Sequence, residues 1–100
     1  MNATATETKI KISTLIRSVA YDSHQRSFVV GLDSGGSMAV PVDKLKMELH
    51  DREARRIVQA PEPTDEQLSQ VEVWGGGRSI DIACIKQNFG LEQLLRAIAS

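Results

Sequence analysis

The chain has 100 residues, with 12 lysines and arginines against 13 aspartates and glutamates, and 41% of its residues are hydrophobic. A folded chain of this length buries roughly 65% of the surface that the unfolded chain exposes, which suffices for one two-layer core and excludes a large catalytic fold. The net charge of −1 gives no overall attraction to nucleic acid or to anionic lipid, so strong nonspecific DNA binding and membrane association are not expected.

The cysteine count and the first residues indicate the compartment. One cysteine excludes an internal disulfide and a cysteine-rich zinc site. The opening stretch MNATATETK has no apolar core for export or membrane insertion, and it offers almost nothing to bury. We therefore expect a soluble, cytoplasmic protein with a disordered tail over residues 1–9 and a single domain over residues 10–100.

The first half of that domain predicts a β-meander. Alternating apolar residues indicate strands over residues 10–21, 28–32 and 38–42. In the first strand, the alternation places Val19 and Tyr21 on one side and Ile16 on the other. Asp33-Ser34-Gly35-Gly36 supplies a tight turn between the second and third strands, and Pro41 predicts that the third strand lies at an edge or ends there.

Two short helices are predicted next, over residues 44–58. Asp43 can cap the first helix. The five-residue step from Leu49 to Ala54 does not fit one continuous apolar face, so we expect Asp51 to cap a second helix. The prolines that follow end this second helix.

The second half of the chain predicts a hairpin between short helices. A capping box over residues 64–67 opens one or two helical turns. A tryptophan strand over residues 71–74 turns through three glycines into residues 79–82. The helical spacing of Ile82, Ile85 and Phe89 predicts a further helical segment, and a C-terminal helix is predicted from the stripe of Leu91, Leu94, Leu95 and Ile98.

These segments predict an α+β fold. The three-stranded meander and the tryptophan strand are expected to form a small antiparallel sheet, and the short helices are expected to cover one face of it. The order of the strands is left open.

No set of residues has the pattern of a catalytic or metal site. Asp33-Ser34-Gly35-Gly36 resembles the nucleophile segment of trypsin-like proteases, but that mechanism needs a double barrel of about twice this length. Cys84 lies in an apolar segment and is expected to be a small buried hydrophobe, and neither His24 nor His50 stands at ligand spacing. We therefore predict no enzyme, no metal and no cofactor.

Candidate binding residues are three arginines and the single tryptophan. Arg52, Arg55 and Arg56 cluster on one flank of the predicted second helix, where they can pair with neighbouring carboxylates, contact a partner protein or contact nucleic acid. Trp74 is expected to lie in the core, and the alternative is an interface anchor. The glycines before Arg78 can turn the chain or offer amides to a phosphate, but the lysine of a phosphate-binding loop is missing.

The succession of these elements resembles a known family. The sequence is similar to domain of unknown function family 2442. The similarity covers the stretch from Phe28 to Asp43, the leucine-bearing helix, the segment Arg52 to Val58, Val73-Trp74, Ser79-Ile-Asp-Ile and the closing Leu94-Leu95. The resemblance implies a compact α+β fold in small bacterial proteins, whose genes often stand in pairs that look like toxin and antitoxin. The sequence departs from the family pattern at Gly75, where a proline is usual, and at residues 61–70, which look like an acidic insertion.

The expected function is therefore that of a nonenzymatic bacterial binding protein, an antitoxin-like partner of another small protein. One alternative is a phage or mobile-element inhibitor that binds a host defence complex. Another is a DNA-binding accessory protein, for which the arginine cluster is the only support.

Overall fold

The computed structural model of the chain describes residues 14–99, and the predicted tail over residues 1–9 lies outside this range. The strands are β1 (Ile16–Asp22), β2 (Ser27–Leu32), β3 (Ser37–Pro41), β4 (Glu48–Asp51), β5 (Arg56–Gln59), β6 (Glu72–Trp74), β7 (Ser79–Ile82) and β8 (Gln87–Gly90). The α-helices are α1 (Asp65–Leu68) and α2 (Leu91–Ala99), and two 3₁₀ turns lie at Val42–Lys44 and Ala83–Ile85.

The strands form three small antiparallel sheets, in the orders β1-β2-β3, β4-β5 and β6-β7-β8. The predicted α+β class with antiparallel pairing is confirmed. The tryptophan strand β6 belongs to a second meander of its own rather than to the first sheet. The strands that follow it in sequence can pair with it through short turns, so it needs no long crossover to the first meander.

The first meander follows from local turn chemistry, as predicted. Gly35 adopts a φ of +108°, which an L side chain rarely tolerates, and the Leu32 N–H donates to the Gly36 carbonyl oxygen at 2.8 Å. Pro41 is the last residue of β3, which is an edge strand of this sheet. A proline is tolerated there because it interrupts no central ladder.

A register shift in β1 changes which residues face the core. The pairing with β2 is irregular between Ile16 and Ser18, and an extra residue at such a bulge reverses the alternation beyond it. Ile16 is buried, and Val19 and Tyr21 pack against the same core. The prediction that Ile16 faces away from Val19 and Tyr21 was therefore wrong.

The two meanders and α2 share one apolar core. Its fully buried large side chains come from both meanders and from both α-helices: Phe28, Val30, Val40, Leu68, Ile80, Ile82 and Leu94. Burying each of these side chains stabilises the fold by roughly 1.5–3 kcal/mol. The α2 helix, which the leucine stripe predicted, packs against β3 and β8.

One close backbone contact joins the two meanders. The Ile16 N–H donates to the Gly77 carbonyl oxygen at 2.7 Å. A Cβ at position 77 would lie 2.8 Å from the Ile16 carbonyl oxygen, and Gly77 has a φ of +98°. Glycine is therefore required at this joint both by the backbone conformation and by the lack of space.

The helices predicted over residues 44–58 were wrong. A single 3₁₀ turn ends at Lys44, and the chain then forms the hairpin of β4 and β5. The cap predicted at Asp51 does exist, but it closes a turn: one carboxylate oxygen accepts the N–H groups of Glu53 and Ala54, each at 3.1 Å. A helix N-cap and a tight turn use the same side-chain acceptor, so the residue type alone cannot distinguish them.

The helical segment predicted from Ile82 to Phe89 was also wrong. A 3₁₀ turn over Ala83–Ile85 ends at Lys86, which adopts a left-handed conformation with φ +57°, and the chain then enters β8. The capping box before α1 is confirmed: the Gln67 N–H donates to Thr64 Oγ1 at 3.1 Å, and the Thr64 N–H donates to Gln67 Oε1 at 2.9 Å.

In residues 14–99 no helix has the length and apolar character needed to cross a membrane. The longer of the two α-helices has nine residues, whereas a transmembrane helix needs about 20.

Candidate functional site

The hairpin of β4 and β5, residues 48–59, differs from the rest of the described chain in its exposure. None of its twelve side chains is buried, and its two strands contact each other far more than they contact any other element. An isolated two-stranded hairpin is marginally stable in water, so the fold gains little from it. We call residues 48–59 the arm, and residues 14–47 together with 60–99 the body.

Two hydrogen bonds hold the base of the arm. The Ala60 N–H donates to the Met47 carbonyl oxygen at 2.9 Å, which extends the ladder of the hairpin by one pair. The buried side chain of Gln87 in β8 donates from Nε2 to the Glu48 carbonyl oxygen at 2.9 Å. The base of the arm is therefore fixed to the body, and its other end is left in solvent.

The free end of the arm is a four-residue turn, residues 52–55. Asp51 caps it through the two hydrogen bonds described above, and Arg55 closes it in a left-handed conformation with φ +56°. That conformation costs an ordinary residue roughly 1–2 kcal/mol. The turn contains no glycine or proline, so its sequence carries no conventional turn signal.

The three candidate arginines all lie at this end of the arm. Arg52 and Arg55 belong to the turn, Arg56 begins β5, and all three are exposed. The structure therefore brings them together, but on a hairpin and not on a helix flank. The helical pairing expected from Glu48 to Arg52 and from Asp51 to Arg55 is lost with the helix.

These guanidinium groups are unpaired within the described part of the chain. No carboxylate of residues 14–99 forms an ion pair with Arg52, Arg55 or Arg56. Arg26 in the body behaves differently, since it bonds Asp65 at 3.0 Å and Glu62 at 3.3 Å.

The two faces of the arm differ in apolar exposure. Leu49 pairs with Val58 on one face, where both are half-buried, and His50 pairs with Ile57 on the other. Ile57 is 63% exposed, the largest value among the exposed large hydrophobic side chains of residues 14–99. Successive side chains of a strand alternate between its faces, so Ile57 is exposed on the face opposite Arg56, which precedes it in β5.

A groove lies between β4 and the turn at residues 83–86. The residues that line this groove include Glu48, His50, Arg52, Cys84 and Lys86. Sequence spacing gave no reason to place His50 near Cys84, because 34 positions separate them and only the tertiary fold brings them to one groove.

Cys84 is exposed, so the prediction of a buried apolar filler was wrong. Its thiol donates a long hydrogen bond of 3.7 Å to the Gln67 carbonyl oxygen. The apolar neighbours suggested burial, but Ala83 and Cys84 lie on the outer side of a 3₁₀ turn while Ile82 before it is fully buried.

Trp74 is 58% exposed at the end of β6, so the expectation that it lies in the core was wrong. Its exposure agrees with the alternative of an interface anchor. Trp74 pairs with Ser79 at one end of β7. Ile82 lies at the other end of β7 and pairs with Gln87, whose side chain holds the base of the arm. Trp74 does not line the groove that Arg52 lines, so the two candidate residues do not share that groove.

A polar cluster in the body fixes the acidic segment that follows the arm. The Tyr21 hydroxyl donates to Asp65 Oδ1 at 2.6 Å, and Arg26 bonds the same oxygen. Burial, and then the hydrogen bond to Asp65, raise the pKa of Tyr21 above its ordinary 10.0. This cluster holds residues 62–65 against the first meander.

Among residues 14–99, no three His, Cys, Asp or Glu side chains come together as a metal site would require. Comparison with known proteins finds no matching family model, no similar curated protein and no similar solved structure.

Proposed function

We propose that this chain is a nonenzymatic, cytoplasmic binding protein whose arm contacts an acidic surface on a small partner protein. The partner is of the kind that the family resemblance implies, so the chain acts as the antitoxin-like member of a pair. The observation that carries the proposal is the arm itself, which has no buried side chain and holds three arginines that form no ion pair within residues 14–99.

The chemistry of the arm favours carboxylates as the partner's contacting groups. A guanidinium group bonds a carboxylate through two parallel hydrogen bonds, and such charge-assisted bonds are stronger than neutral ones. Arginine is also enriched among the few residues that dominate the binding energy of protein interfaces. Ile57 adds an exposed apolar side chain on the face of the arm that it shares with His50.

A protein partner is favoured over DNA by the charge balance of the arm. Its three arginines are matched by three carboxylates, those of Glu48, Asp51 and Glu53. Binding to the phosphate backbone requires concentrated positive charge and weakens steeply with salt. A β-hairpin with arginines can enter a DNA groove, so the DNA-binding alternative is retained as an outcome of the test.

The test is copurification of the tagged protein from the source cells, followed by identification of the bound protein and reconstitution from purified components. The variant is Arg52→Ala/Arg55→Ala/Arg56→Ala. The matched control is Arg17→Ala/Arg78→Ala/Arg96→Ala, which removes the same charge from three exposed arginines of the body. We expect the arm variant to lose at least about 90% of the captured partner, equivalent to about 1.4 kcal/mol or more, and the control to retain it.

Equal loss in both variants would show that only net charge matters and would contradict the proposal. Capture that survives in the arm variant would do the same. Tight, sequence-preferring binding of purified protein to duplex DNA at physiological salt, with no bound protein, would replace the proposal with the DNA-binding alternative. A bound host defence complex would instead support the inhibitor alternative.

A further inference from the structure

From the geometry of the arm we infer that the outer edge of β5 pairs with the same edge of a second copy of this chain, giving a two-fold symmetric dimer with a continuous four-stranded ribbon. This inference needs only the chain itself and does not rest on the proposed function.

The backbone N–H and C=O groups of β5 alternate in direction along the strand. The Ala60 N–H bonds the Met47 carbonyl oxygen, so these opposed residues form a hydrogen-bonded pair. Such pairs alternate along an antiparallel ladder. Leu49 with Val58 is therefore the next hydrogen-bonded pair, and the N–H and C=O groups of Ile57 and Gln59 point away from β4.

These outward groups form an open edge. No backbone group within residues 14–99 bonds the N–H or C=O of Ile57 or Gln59 across that edge. The opposite edge of the arm is different, because the buried Gln87 side chain occupies the Glu48 carbonyl oxygen there. An open edge is a template for another strand, and β5 presents the freer edge of the two.

Only one two-fold register uses all of these groups. When Val58 lies opposite Val58 of the second copy, Ile57 of each chain faces Gln59 of the other, and four hydrogen bonds form. A register centred on Ile57 would require hydrogen bonds from the turn residue Arg55. A register centred on Gln59 would require hydrogen bonds from Pro61, which has no N–H to donate.

Charge complementarity supports this register. It places Arg56 opposite Ala60 of the second copy and Arg55 opposite Pro61. A cleft beside the base of β5 is lined by Ala60 and Pro61, by the carboxylates of Asp43 and Glu62, and by Arg26, which forms an ion pair with Glu62. Asp43 has no ion pair with any residue in the described range, so each arm brings unpaired guanidinium groups to an unpaired carboxylate.

Proline substitution tests the edge while sparing the hairpin. Ile57→Pro removes an N–H that points outward, so it leaves the ladder to β4 intact. His50→Pro is the matched control, because His50 is the cross-strand partner of Ile57 and its N–H points to the other edge. In sedimentation velocity, we expect the wild type and His50→Pro to dimerise with increasing concentration, and Ile57→Pro to dimerise at least tenfold more weakly.

Disulfide trapping tests the register. Two Val58 residues in a non-hydrogen-bonded antiparallel pair would have Cα atoms about 4.5 Å apart, within the range of a disulfide. In a Cys84→Ser background, we expect Val58→Cys to form an intermolecular disulfide under mild oxidation. Leu49→Cys, on the same face but on the other strand, should not form one.

A wild type that stays monomeric at all concentrations would overturn the inference, and so would equal dimerisation of the two proline variants. A dimer that forms without the Val58→Cys disulfide would refute this register. These results are measured on the chain alone, whereas partner capture is measured by copurification, so failure of one proposal can be distinguished from failure of the other.

Discussion

Tyr21 is the only tyrosine in the chain, so phenolate absorbance follows its ionisation alone. Its pKa is raised above 10.0 in the folded protein, first by burial and then by the hydrogen bond to Asp65. The unfolded chain therefore loses the proton at lower pH than the folded chain. This contribution to stability is fully present below pH 10.0 and is lost as the pH rises through the folded-state pKa.

We predict that Asp65→Asn lowers the pKa of Tyr21, since it removes both the negative charge and the strong acceptor. Asp22→Asn should lower it less, because Asp22 makes the smallest contribution. Spectrophotometric titration of the native variants measures both effects. A native midpoint that Asp65→Asn leaves unchanged would show that the Tyr21 and Asp65 contact is not formed in solution.

Gly77 joins the two meanders, and its neighbour Gly76 provides a control. Gly76 also has a positive φ, of +69°, but nothing lies within 4 Å of a Cβ placed there. We predict that Gly76→Ala lowers the free energy of unfolding by about 1–2 kcal/mol, the cost of the left-handed conformation. Gly77→Ala should lower it by roughly 2–4 kcal/mol, because a backbone clash is added. Urea denaturation distinguishes these values, and equal losses would contradict the close contact.

The arm is the element with the least tertiary support in the described chain. Its ladder is held by two strands with no buried side chain, whereas β2 carries Phe28 and Val30, both fully buried. Local stability in a folded protein follows buried contact, so the arm should open without unfolding of the body.

We predict that the amides of Leu49 and Val58 exchange with solvent on the order of 100-fold faster than the amide of Val30. Native-state hydrogen exchange followed by NMR, in dilute protein so that the monomer is observed, gives the three rates. Equal protection of the amides of the arm and of β2 from exchange would mean that the arm packs on the body and does not open independently of it.

The elements that sequence reasoning predicted are those with local signals. The Asp33–Gly36 turn, the capping box at Thr64 and the stripe in α2 each depend on residues within a few positions. The arm gives no such signal. A hairpin without a buried face has no apolar alternation to detect, and six of the twelve residues of the arm are Glu, Leu or Arg, which have good helix propensity.

The candidate site was predicted only as a set of residues. Arg55 and Arg56 lie three and four positions after Arg52. This spacing would bring the arginines together on a helix flank, and it also brings them together at a hairpin turn. The convergence of His50 and Cys84 on one groove, and the exposure of Trp74, depend on how the second meander packs. Tertiary packing of that kind leaves no trace in local spacing.

Under the proposed function, stability and binding belong to different parts of the chain. The body holds the entire buried core of the described residues, and the arm holds unpaired charge and the most exposed large apolar side chain. Substitutions on such a surface usually change stability by less than about 0.5 kcal/mol. Side chains of the arm can therefore be replaced with little effect on the stability of the body.

Site-specific photocross-linking tests most directly whether the arm is the binding surface. A photoreactive phenylalanine derivative replaces Ala54 at the end of the arm or, as the control, Val29, which is 41% exposed in the middle of the first sheet. After irradiation in the source cells, we expect a covalent adduct with the same partner protein that copurifies, formed from position 54 and not from position 29. An adduct from position 29 alone would place the binding surface on the body and contradict the proposed function.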